Sequence, residues 1–253
     1  MTDLLADISL RHVVLVVALL AFAGMLKGYS GFGFLVAAVP LLSLIFPPIV
    51  AVPIALLVQI VSSGNGMRDC LPQCDWRAVA ILTGAAAVLT PIGVLLLTAL
   101  PENVIRFCIA AIVALAVALL ANPWRQRHAS NPWVASLYGA AAGLFNGVAG
   151  IPGPPVIAYF LGSDAPKERA RASMMVIFAL TSVVALVPLS IAGAVGASTL
   201  IYAAIAVPGV WAATSFGQYL FRRSSDAAYR RVGLAVLSAI AVLAALKATG
   251  AMG

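Results

Sequence analysis

Charge is what this chain has least of: 9% of its 253 residues are Asp, Glu, Lys or Arg, against about 25% in an ordinary soluble domain. Four stretches, 28–67, 78–101, 133–163 and 172–221, hold none at all. Each matches or exceeds the roughly 20 apolar residues that cross a bilayer core. None shows the polar face of a soluble amphipathic helix. A water-soluble globule is excluded, and the chain belongs in lipid.

Histidine is nearly absent, with only His12 and His128. That leaves no ligand set for a catalytic metal and no nucleophile–base pair for an enzyme acting on lipid-linked substrates. No cofactor is expected. Three cysteines build no disulfide framework, and the spacing of Cys70 and Cys74 in "DCLPQCDW" fits no standard metal or redox motif, so reduced thiols are expected. The eight acids all fall in predicted loops or at segment ends, which excludes a carboxylate proton relay in the middle of the membrane.

Basic residues outnumber acidic ones, giving a net charge of +7 and a pI near 9.8. In a soluble protein this balance would point to nucleic acid. Here the enrichment of cytoplasmic loops in Lys and Arg accounts for it. The run from Val13 to Leu20 followed by "AFAG" imitates a secretory signal, but its leader carries Asp3 and Asp7 instead of a basic region. We therefore read it as the first segment of the membrane domain.

Breaking the apolar stretches at glycine, proline and charge gives ten segments: 12–27, 31–46, 49–65, 76–99, 103–121, 133–147, 153–162, 171–193, 198–221 and 229–249. Five precede the polar connector "NPWRQRHASNP" and five follow it. "AGMLKGYSG" aligns with "AGLFNGVAG", and the same register brings Pro47 onto Pro166 and Ser62–Ser63 onto Thr181–Ser182. Later, Gly93 precedes Arg106 by the same interval as Gly217 precedes Arg230.

The expected architecture is an all-α polytopic membrane protein of two five-segment repeats: residues 1–121, a cytoplasmic connector at 122–132, and an inverted copy at 133–253. Five segments per repeat turn the second copy over. Alternating the connections then places all the basic residues except Arg11, Arg106 and Lys247 on one side, which the positive-inside rule makes cytoplasmic. Both termini are expected in the periplasm.

The opening segments of each half are short for a bilayer about 30 Å thick. They suit hairpins that enter from opposite faces and turn inside the membrane at "KGYSGFG" and "NGVAGIPGPP". Non-helical backbone at that depth is tolerated where it lines a wet cavity. Paired interruptions in inverted halves point to a transporter's central site, and freed amides at half-helix starts suit an anion. Lys27 either snorkels to the headgroups or faces the cavity as the main cation of that site.

The expected centre is Lys27, Ser30, Gly31, Asn146, Gly147 and Gly150, with Tyr29, Gln59, Asn65 and Gly153 beside them. Ser62, Ser63, Thr181, Ser182 and Gln218 are more often structural in such helices. A potential of 100 mV is worth about 2.3 kcal/mol per charge, so a dianion leaving a negative interior gains about 4.6 kcal/mol and needs no coupling ion.

"VPLLSLIFP", "CDWRAVAILTGA", "ALPENVIRF" and "GAAAGLFNGVAGIPGPPVIAYFL", in that order between residues 12 and 249, resemble the TauE/SafE family of sulfite and organosulfonate transporters. The resemblance implies secondary transport, as exporter or facilitator, of small sulfur-containing anions across a bacterial inner membrane. The sequence departs from the family at Phe34, where a further glycine is often found. An anion channel and a carrier of small carboxylates are the alternatives. The partners implied are a small anion and the bilayer, with no nucleic acid; a homo-oligomer is left open.

Overall fold

A computed structural model describes residues 10–30, 33–64, 67–121, 131–163, 165–223 and, near the C-terminus, 235, 238–240, 242–243 and 246. The described residues form helices joined by short connections: α1 (Leu10–Ser30), α2 (Phe34–Leu42), α3 (Pro48–Ser63), α4 (Met67–Cys70), α5 (Trp76–Ala99), α6 (Glu102–Ala121), α7 (Pro132–Ala149), α8 (Gly153–Gly162), α9 (Lys167–Ile191) and α10 (Ala197–Arg223). Among them no strand occurs. Five helices, α1, α5, α6, α9 and α10, are long and apolar enough to cross a membrane. The chain is an all-α, multi-pass membrane protein.

Local chemistry sets the helix ends. The Asp75 carboxylate accepts from the Ala78 N–H at 3.0 Å and starts α5; Asn131 does the same for Trp133 at the head of α7. Prolines open α3 and α7, where the missing N–H is no loss. Gly150, at φ 65°, closes α7 in a left-handed cap that only glycine adopts cheaply.

Besides the four-residue α4, two elements cannot span. α2 has 9 residues and α8 has 10, about 13–15 Å at 1.5 Å per residue, half the hydrocarbon thickness. Every residue of α2 is buried, and α8 is buried along nearly its whole length. A helix apolar all round and covered all round belongs inside the bundle.

The first arms differ from the expectation. α1 runs 21 residues and α7 runs 18, so neither ends at its first glycines, and the helices continue through "LKGYS" and "NGVA". The reason is packing. A Cβ on Gly28 would lie 2.0 Å from the Thr214 carbonyl oxygen of α10, and one on Gly147 would lie 2.3 Å from that of Thr90 on α5. These glycines let two backbones touch and do not break the helix.

The long helices therefore pack crosswise between halves, α1 on α10 and α7 on α5. The connections gather at two ends. Pro47, Glu102 and Gly193 line one depression, where Arg106 also reaches the Ser43 and Phe46 carbonyls. Asp75, Arg77, Asn131 and Tyr159 line another.

Candidate functional site

Lys27 stands in the last turn of α1 and is 6% exposed. It does not snorkel. Its Nζ donates to Ser62 Oγ at 2.9 Å and Ser63 Oγ at 3.3 Å, both in the last turn of α3. It also lies 5.7 Å from the centroid of the Phe34 ring, within the range of a cation–π contact.

The partners are neutral and their orientation is determined. Both serine hydroxyls donate back to the Gln59 carbonyl, at 3.2 and 2.6 Å. Their oxygens are thus left to accept, from Lys27 and, at Ser63, from Gln59 Nε2 at 3.3 Å. Gln59 Oε1 is buried with no partner. Among the described residues no carboxylate pairs with Lys27.

An ammonium removed from water and met only by hydroxyls is uncompensated in charge. Two of its three N–H groups are taken by the serines; the third remains for an acceptor.

Lys27, Gln59 and Ser63 line a narrow cleft that holds about 20 Å³ of water-sized space. Gly33 and Phe34 reach it from the first interruption; Pro152 and Gly153 reach it from the second. A pair of complete crossings would put those turns on opposite faces. Instead they share one cavity, because α2 and α8 are too short to carry the chain away from it.

The other expected residues fall elsewhere. Asn146 donates to the Thr181 carbonyl at 2.8 Å, leaves its Oδ1 buried without a partner and does not line the cleft. Gly147 serves the α7–α5 contact, and Gly150 packs against Val52, Val39 and Leu56. Tyr29 is buried in the bundle. Ser30 closes α1, its side chain outside the described residues, as are Gly31 and Asn65. Ser62 and Ser63, set aside as structural, turn out to hold Lys27. The signal was present: the repeat register matches Lys27 to Asn146 and Ser62 to Thr181, and Lys27 meets Ser62 as Asn146 meets Thr181.

Residues 16–244 match the family described as Sulfite exporter TauE/SafE. The chain belongs to the TauE/SafE family. Among its relatives is a protein of Cupriavidus necator named "Probable sulfite/organosulfonate exporter TauE", 30% identical over 201 residues, which cover 77% of this chain and 78% of that one. No solved structure matches this TauE/SafE chain.

Proposed function

We propose that this protein exports small sulfur-containing anions, sulfite or organosulfonates, across a bacterial inner membrane, and that the cleft at Lys27 is where the anion binds. The observation that carries this reading is the buried ammonium itself, held by neutral hydroxyls at the junction of two membrane-embedded hairpins. An anion of that kind supplies the missing countercharge and accepts the remaining N–H. Gln59, Ser63 and the opening of α8 at Gly153 complete the contact surface. The family match and the name of the Cupriavidus necator relative support the substrate class.

The same proposal includes two inverted repeats, residues 1–121 and 133–253, joined by a cytoplasmic connector at 122–132, with both termini in the periplasm. Mirrored contacts support it. A Cβ on Gly28 would meet Thr214, and one on Gly147 would meet Thr90; Gly217 likewise approaches the Met25 carbonyl as Gly93 approaches that of Leu144. Each member of these pairs corresponds to its counterpart in the repeat register.

The test is counterflow of sulfite and sulfoacetate into proteoliposomes. Lys27→Ala is expected to abolish saturable uptake, while Arg77→Ala, on the exposed surface, leaves it near the parental rate. Equal activity in both variants would remove Lys27 from the site.

A further inference from the structure

The cleft has two unlike walls. α1 and α3 contribute Lys27, Gln59 and Ser63. To the same cleft α8 and α9 contribute Ile157, Met175 and Phe178, with no polar side chain among them. Phe178 occupies the position that the repeat register pairs with Gln59, so the two halves present an amide and a phenyl ring to the same space.

A bare oxyanion is hydrated on every side. Set between these walls it gains Lys27 on one face, but against the phenyl ring it loses water and receives no hydrogen bond in return. An anion with a carbon tail loses nothing there, since its tail and the ring both leave water.

We infer that Phe178 is a specificity-determining residue, and that this cleft selects organosulfonates with a short apolar tail over sulfite. The inference rests on the reading of the cleft as the anion site. The sulfonate head takes Lys27; the tail lies along Phe178, Ile157 and Met175.

The experiment measures inhibition of labelled sulfite counterflow by unlabelled sulfite and by butane-1-sulfonate in proteoliposomes. The quantity read is the ratio of the two inhibition constants. The parent is expected to favour butane-1-sulfonate about 10-fold or more. Phe178→Ala should reduce that preference about 10-fold, and the gentler Phe178→Leu about 3-fold. If Phe178→Ala does not fold, Phe178→Leu alone carries the comparison.

A parent that prefers sulfite, or a ratio that stays within twofold of parental in the variants, overturns the inference. A purely structural Phe178 would change protein yield and leave the ratio alone. Lys27→Gln separates the two levels. If it binds both anions like the parent, the site itself is wrong. If it loses both while the Phe178 variants keep the parental ratio, only the tail selection is wrong.

Discussion

Lys27 and Asn146 occupy matching places at the ends of α1 and α7, and each reaches the matching turn of a neighbouring helix, Ser62–Ser63 in one case and Thr181 in the other. The backbones agree and the chemistry does not. In the first half an ammonium ends on hydroxyls beside a cavity; in the second an amide ends on a backbone carbonyl, away from it. A single central site has room for one cation. A second ammonium nearby would repel the first and add its own desolvation cost. On the proposed repeat the framework is duplicated, while the charge is confined to one half.

The largest break in this comparison should come from the charged pair of positions. Lys27→Met is expected to weaken anion binding by about 100-fold, the value of roughly 3 kcal/mol for a hydrogen bond to a charged group. Asn146→Leu should change binding less than threefold and instead lower stability by about 1–3 kcal/mol, through the lost bond to Thr181. Titration of a purified variant with a sulfonate, beside its thermal unfolding, measures both. Comparable binding losses in the two variants would mean that the halves share the anion.

The glycine contacts test the opposite claim, that the two frameworks are equivalent. Gly28→Ala and Gly147→Ala should each destabilise by about 1–3 kcal/mol or more, because the added carbon meets backbone oxygen that cannot move. Gly84 has nothing within 4 Å of an added Cβ, and Gly84→Ala should be neutral or stabilising by up to about 1 kcal/mol. Thermal unfolding in detergent orders the three. A tolerated substitution at one of the first two positions alone would make the resemblance of the halves superficial.

A finer contrast lies between Ser63 and its counterpart Ser182. Ser63→Ala removes one acceptor from Lys27 and should weaken sulfonate binding about 5-fold, for a net contribution near 1 kcal/mol. Ser182 Oγ donates to the Phe178 carbonyl at 2.6 Å within its own helix, and Ser182→Ala should leave binding within twofold.

The smallest effect concerns the two ends of the molecule. Burial pushes the Cys74 thiol above its ordinary value, and Cys70 beside it adds to the rise. Since the thiolate is the reactive form, alkylation by an impermeant maleimide should be slow at pH 7 and still be accelerating above pH 9. It should proceed from the cytoplasmic side alone. Labelling from outside intact cells would invert the proposed topology.

Much of the framework was legible before any coordinates. The span at 76–99 coincides with α5 and the short piece at 153–162 with α8, because apolar length and proline punctuation act locally. Glycine was the ambiguous letter. Gly28 read as part of a break, yet α1 runs through it, since a glycine that loosens a helix and one that admits a neighbouring backbone look alike in a string. Of the candidate site, Lys27, Gln59 and Gly153 line the cleft. Asn146 and Gly150 were chosen on the same polarity and flexibility and do not, because their neighbours already occupy them.

Composition and the order of apolar runs were enough to establish a membrane protein and its succession of helices, since transfer from water to lipid depends on what the side chains are and hardly on where they meet. Which residues surround the buried ammonium was decided only in three dimensions. Ser62, Ser63 and Phe34 join Lys27, and Phe178 lines the same cleft as Gln59, because two half-length helices bring distant turns to one depth in the bundle, and no local pattern encodes that meeting.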